Sequence, residues 1–300
     1  MQNFDEMKAC LLAAPVQKRI GVVAAHDAHT LEAVSMAMAD GLVEPVLFGP
    51  QEEIISIWAQ VSARALPCIV HCPDLPSCLS AAMKAVRDGE VDCIMKGHLE
   101  TGDLMKAVLN RETGIRRGDA LSLIAMMESP YYHKLFAVTD VGLMTYPTLP
   151  QKKAIIENAV GVFQTLGVQC PKVAVLSATE HVNPAMPQSV DAAALKEMNV
   201  KGELNNCIVE GPISYDLCMD PAAAALKGYE SPVAGDPDIL VVPDIMAGNI
   251  LAKSLTCTGG ARTCGTVVGA QVPILLNSRS AAVEDKYLSI ILAAVVGRSC

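Results

Sequence analysis

The stretch Ser77-Cys-Leu-Ser-Ala-Ala-Met-Lys-Ala-Val-Arg-Asp-Gly89, followed by Val91-Asp-Cys-Ile-Met95, decides the fold class. Leu79, Met83 and Val86 recur at the three-to-four-residue spacing of one helix face, with Ser77 a possible cap and Gly89 a stop. The run 91–95 is short and apolar, as a fully buried strand would be, and a further strand is expected just upstream at 68–71. Strand, helix and strand in that order make a βαβ unit, which favours a parallel sheet.

Working outward, the same alternation recurs. Residues 19–25 read as a first buried strand, 26–40 as a helix ending at Gly41, and 45–48 as a second strand. The proline-bearing segment 145–150 is a crossover candidate, after which 151–166 reads as a helix with Ile155, Ala159, Val162, Phe163 and Leu166 on one face. Strands are expected at 172–177, 206–210, 238–242, 265–268 and 273–277. A closing helix over 282–296 would bury the side carrying Val283, Tyr287, Ile290, Ile291 and Ala294. The fold class read from this pattern is α/β with mainly parallel sheets.

Composition narrows the function. Three hundred residues, 51% hydrophobic and 18% charged, are ample for a buried core. The apolar run 288–296 falls short of the roughly 20 residues of a membrane helix. Asp5 and Glu6 stand where a signal peptide would carry positive charge, so no secretion signal is read. Eleven cysteines without a CxxC pair read as reduced thiols, which fits a cytoplasmic protein without a metal site. A net charge of −9 argues against nucleic-acid binding, because a phosphate backbone needs a basic face.

Three regions could carry chemistry. In Pro273-Ile-Leu-Leu-Asn-Ser-Arg-Ser280 a buried strand ends in polar residues just before a helix start. Ligands of open α/β sheets bind beyond the carboxyl ends of strands, and helix N-termini favour anions. Ser278 and Arg279 would face such a site, with Asp285 in the first turns of the next helix. Together a hydroxyl, a guanidinium and a carboxylate can stabilise charge, bind phosphate and accept a proton. The same residues also suit a cap, a surface cation and a dipole partner. A second region, 95–103, places Lys96, Thr101, Gly97 and Gly102 as an anion cradle without a GxGxxG or GxxxxGK[ST] motif. His98 could be a base there, and Arg111, Arg116 and Arg117 could hold phosphates or simply form a solvated face. The third is a pair of glycine-containing turns at 231–236 and 242–249, which allow close backbone approach or serve as plain connectors.

Seven segments in order carry a resemblance: MKGHLETGDLMKAVLNRETG (95–114), HKLFAVTD (133–140), PKVAVLSATEHVNP (171–184), SVDAAALKEM (189–198), CIVEGPISYD (207–216), SPVAGDPDILVVPDIMAGN (231–249) and VPILLNSRSAAVED (272–285). From about Ile20 onward the chain resembles the phosphate acetyl/butyryl transferase family, most closely its short, butyryl-type members. The resemblance implies two α/β/α domains of the isocitrate/isopropylmalate dehydrogenase-like type, 1–138 with 267–300 and 139–266, with the active site in the cleft between them.

It further implies direct acyl transfer between coenzyme A and inorganic phosphate, with acyl-CoA as substrate, no tightly bound cofactor, no metal, and a homo-oligomer. In the family's motif Asp285 deprotonates the thiol, Ser278 stabilises the oxyanion and Arg279 binds phosphate. Lys96, Thr101, Lys106, Arg111, Gly235 and Asn249 are the implied substrate-binding positions. The chain departs from the family at Lys106, where an arginine is common, at Asp244, where butyryl-type members often carry asparagine, and at Arg262. A competing reading is an NAD- and metal-dependent decarboxylating dehydrogenase of the same fold, and another is a non-catalytic acyl-CoA-binding protein.

Overall fold

The computed structural model describes residues 1–13, 17–118, 120–278 and 281–297. Its contacts cluster into two compact units, Phe4–Gly118 with Cys264–Cys300, and Met1–Asn3 with Asp119–Thr263. In chain order come α1 (Phe4–Leu12), β1 (Lys18–Val23), α2 (Ala28–Ala39), β2 (Val43–Gly49), α3 (Gln51–Val61), β3 (Cys68–His71), α4 (Leu75–Arg87), β4 (Cys93–Lys96) and α5 (Thr101–Val108). There follow β5 (Ser122–Glu128), β6 (Phe136–Thr139), α6 (Leu149–Thr165), β7 (Lys172–Leu176), α7 (Pro187–Val200), β8 (Ile208–Ile213), α8 (Tyr215–Met219), α9 (Pro221–Leu226), β9 (Ile239–Val241) and α10 (Ile245–Cys257). The chain closes with β10 (Arg262–Val268), β11 (Ile274–Leu275) and α11 (Val283–Val296). The fold is α/β with mainly parallel strands, as the alternation of periods predicts.

In the first unit the strand order is β3-β2-β1-β4-β11-β10, parallel throughout except at the β10–β11 pair. In the second it is β5-β6-β9-β7-β8, with β5 and β6 antiparallel and the remainder parallel. Strands of the parallel core are buried on both faces, which is why β4 reads as Cys-Ile-Met-Lys with all four residues buried.

Local chemistry sets the ends. α4 starts two residues earlier than Ser77: Asp74 is its N-cap and accepts the Ser77 N–H at 2.8 Å, while Ser77 Oγ sits 3.3 Å from the Asp74 N–H. Ser77 is therefore the third helical residue of a capping box rather than the cap. Gly89 does end the segment, in the left-handed region at φ +70°.

α11 departs from the amphipathic expectation. Every residue from Lys286 to Val295 is buried, and the helix packs against α1 and α2. A helix apolar all round belongs inside a layer rather than on top of one. No helix among the described residues is long and apolar enough to cross a membrane.

Glycine 97 marks the tightest backbone approach beside the β4 end. Its N–H donates to Val23 O at 2.9 Å, and a Cβ there would lie 2.3 Å from Ala24 O. Gly102, by contrast, lies in α5 with open space around it. Gly97→Ala is expected to cost about 1–3 kcal/mol, since backbone must shift, while Gly102→Ala should be neutral or stabilising by up to about 1 kcal/mol. Denaturant midpoints of the two variants measure this, and equal midpoints would contradict the close approach.

Candidate active site

β1, β4 and β11 end together. Val23 pairs with Lys96 and Met95 with Leu275, so the polar residues that follow all three strands leave the sheet along one edge of the first unit. The ladder continues past the strands, since Gly97 and His98 donate to Val23 O and Ala24 O at 2.9 and 2.8 Å. This edge is the carboxyl side of parallel strands, where the fold class places ligands.

Lys96 is 7% exposed, and its ammonium reaches the carbonyl oxygens of Leu99 at 3.1 Å and Gly97 at 3.4 Å. A buried cation held by the loop that follows β4 keeps positive potential at the edge. Thr101 opens α5 and is exposed. Lys106 is exposed in the last turn of the same helix and pairs with Asp103 at 3.3 Å, an interaction of small net worth at the surface. Arg111 is exposed just beyond that helix.

The strand end carrying Ser278 is better tied down. Ser278 is exposed, and its carbonyl accepts the Ala281 N–H at 3.1 Å. Arg279 lies outside the described residues. Asn277 donates through Nδ2 to Ser289 Oγ at 3.0 Å, and Ser289 Oγ in turn donates to Asp285 O at 2.8 Å and accepts the Gly265 N–H at 3.1 Å. One hydroxyl inside α11 thus ties β10, the second residue after β11 and the first turn of the helix together. Asn277 Oδ1 is buried with no hydrogen-bond partner among the described residues.

Asp285 is the third residue of α11 and half-buried. Burial raises its carboxyl above the ordinary carboxylate range; the Ala282 N–H, which donates to it, pulls the other way, and Glu284 adds a small upward push. Asp285 thus accepts the N–H of the residue that caps its own helix and has a raised proton affinity.

Three neighbours at this edge went unremarked in the sequence. Lys286, only 2% exposed, turns to α2, with Nζ 3.5 Å from Thr30 Oγ1 and 3.7 Å from Asp27 Oδ1. Burial pushes Asp27 up, but the Thr30 N–H that it caps, the Thr30 hydroxyl and Lys286 outweigh that and hold it low. The rings of His26 and His98 stand 5.0 Å apart, and burial, with His98 second, lowers the His26 proton affinity. For His26 and Asp27 the only signal available in the sequence was position, since both lie within two residues of the start of α2.

Gly235 and Asn249 belong to the second unit. Gly235 takes φ +73°, donates to Cys218 O at 2.9 Å, and has Pro221 atoms where a Cβ would sit, so its freedom serves a turn. Asn249 is exposed on α10. The two departures in this unit have local partners: Asp244 caps α10 by accepting the Ala247 N–H at 3.0 Å, and Arg262 pairs with Glu128 at 3.1 Å.

Comparison with known proteins identifies the family. Residues 75–294 match the family described as phosphate acetyl/butaryl transferase. The chain is 43% identical over 279 residues to a phosphate acetyltransferase of Thermotoga maritima, covering 93% of this chain and 95% of the relative. It is 37% identical over 297 residues to a phosphate butyryltransferase of Clostridium acetobutylicum, covering 99% and 98%. A crystal structure of a branched-chain phosphotransacylase from Enterococcus faecalis superposes with a TM-score of 0.83 at 34% identity, covering 94% of this chain and 99% of that one. Identity at this level over nearly the full length of both chains, together with the family match over residues 75–294, places the chain in the phosphate acetyl/butyryl transferase family.

Proposed function

We propose that this enzyme transfers a short acyl group, acetyl to butyryl or branched, reversibly between coenzyme A and inorganic phosphate to give acyl phosphate. The observation that carries the mechanism is Asp285: a carboxylate in the first turn of a buried helix, raised by burial, next to the strand end that bears Ser278. Family membership disfavours the dehydrogenase and the non-catalytic alternatives.

In the direction of thioester synthesis, Asp285 takes the thiol proton and the thiolate attacks the acyl-phosphate carbonyl carbon. The tetrahedral oxyanion is stabilised by the Ser278 hydroxyl, and inorganic phosphate leaves while held by Arg279. In the reverse direction phosphate attacks the thioester and Asp285 returns its proton to the departing sulfur. A thiol has a pKa of about 8.5, so a carboxyl whose proton affinity is raised by burial exchanges the proton at lower cost than an ordinary one. Transfer is taken as direct, without a covalent acyl-enzyme, as the resemblance implies.

Lys96 supplies buried positive charge for an anionic substrate, and Thr101, Lys106, Arg111, Gly235 and Asn249 complete the proposed substrate contacts. Coenzyme A is a substrate and no tightly bound cofactor is invoked. The enzyme is assigned to the cytoplasm as a homo-oligomer that binds neither membrane nor nucleic acid.

Phosphate-dependent release of free thiol from butyryl-CoA tests the activity directly. Asp285→Asn should lower kcat by about 10²–10⁴-fold. Because the folded pKa lies above the unfolded one, ionised Asp285 is a cost to stability that grows as pH rises between the two values. Asn, which can still accept the Ala282 N–H, should therefore leave the neutral-pH melting temperature unchanged or higher. Near-normal kcat in a folded variant would remove the assignment.

The same shift predicts the pH profile. Activity should fall with pH through the raised Asp285 value, above the ordinary carboxylate range, and Asp285→Asn should lack that acid limb. For Arg279→Lys the expected change is a raised KM for phosphate with kcat largely kept, because an ammonium loses the bidentate contact. An unchanged KM would put the residue outside the site.

A further inference from the structure

Asn277 and Ser289 have no part in the chemistry proposed above, yet they join the two residues that carry it. Asn277 directly precedes Ser278, and its Nδ2 donates to Ser289 Oγ at 3.0 Å. Ser289 Oγ donates in turn to the carbonyl oxygen of Asp285, one helical turn back, at 2.8 Å. A third arm comes from β10, where the Gly265 N–H donates to the same hydroxyl oxygen at 3.1 Å. All of these residues belong to the first unit, so the bridge runs wholly inside it.

The number of protons fixes the direction of every arm. A serine hydroxyl has one proton, and here it is committed to Asp285 O, so Ser289 can only accept from Asn277 and Gly265. The Asn277 amide must therefore present its NH₂ group, which leaves Oδ1 on the other side, buried and without a partner among the described residues. An orphaned buried oxygen is unfavourable, so the bond at the other end of the amide is what holds this orientation. Ser289 is fully buried, and water cannot replace an arm of the bridge. A closed network of this kind in a low-dielectric layer specifies one geometry.

We propose that Ser289, with Asn277, is a positioning residue for acyl transfer: the bridge fixes the turn of α11 that carries Asp285 against the strand end that carries Ser278. The inference rests on the acyltransferase reading above and deepens it with residues that touch no substrate. Proton transfer and charge stabilisation must act on one reacting centre, and a misplacement of about 1 Å costs on the order of 10²-fold in rate. Releasing the turn also lets water reach the Asp285 carboxyl, which brings its proton affinity back toward the ordinary range. Of the charged neighbours, Glu284 acts on this carboxyl and Lys286 faces Asp27 instead, and neither is altered by changing Ser289 or Asn277.

The test uses the full-length enzyme with butyryl-CoA and inorganic phosphate, and compares Ser289→Ala, Asn277→Ala, the double variant and Asp285→Asn. Asn277 is partly exposed, so its variant is expected to fold even if Ser289→Ala does not. The expected result is a fall in kcat of about 10–10²-fold in Ser289→Ala and a smaller one in Asn277→Ala, with both KM values kept within about threefold and the acid limb moved to lower pH. The double variant should lose no more than Ser289→Ala alone, because both changes break one bridge. Wild-type kcat with an unmoved acid limb in folded Asn277→Ala, or a change confined to KM, overturns the positioning role whatever the melting temperature and leaves the acyltransferase reading standing. Losses that multiply in the double variant also overturn it. Near-normal kcat in Asp285→Asn would remove the residue being positioned, and no thiol release by the wild type would remove both readings.

Discussion

The hydrogen-bond register that ends β1, β4 and β11 at one line is the constraint on which the proposed site depends. Val23, Lys96 and Leu275 close neighbouring parallel strands, so the loops that follow are forced out on the same side of the sheet. Residues from three distant parts of the chain, near 26, 98 and 278, meet there for no reason but register. Gly97 holds the closest of these loops against the backbone of Ala24, where any side chain would collide with a carbonyl oxygen. A parallel sheet buried on both faces leaves its polar chemistry nowhere to go except such an edge.

The second element of the design is a helix buried on all sides. α11 carries ten consecutive buried residues, and Lys286 and Ser289 are the polar members among them. Each has a partner: Lys286 turns to the start of α2, and Ser289 ties Asn277, Gly265 and the Asp285 carbonyl. A polar group inside a low-dielectric layer is costly unless satisfied, and once satisfied it rigidifies what it joins. The same layer raises the proton affinity of Asp285, because the carboxylate stands where the helix passes from solvent into the core. Burial here shapes both the stability of the helix and the acidity of the group it presents.

Several features were beyond the reach of periodicity for identifiable reasons. β5 and β6 were not read as strands, since Ser122–Glu128 and Phe136–Thr139 are fully or nearly fully apolar runs without the alternation that marks a half-exposed strand. The buried side of α11 was read as a single stripe, whereas α1 and α2 cover the rest. Ser77 looked like a cap because Ser is a good one; Asp74 and Pro76 made a better start two residues earlier. Lys286 had no signal at all, because a lysine next to a first-turn aspartate is an ordinary surface pattern until the helix is known to be buried.

The amino-acid sequence alone determined the α/β class, the parallel preference, and the candidacy of Ser278, Asp285 and Lys96, because strand period, helix period and strand-end polarity are local properties of the chain. It also carried the family, through segments that occur in order over most of its length. Tertiary structure alone decided which strand ends stand side by side, that Asp285 is half-buried and therefore raised, and that the Ser289 hydroxyl joins the Asn277 amide to the Asp285 carbonyl. Register, burial and side-chain partners arise from contacts between residues far apart in sequence, and no local pattern encodes them.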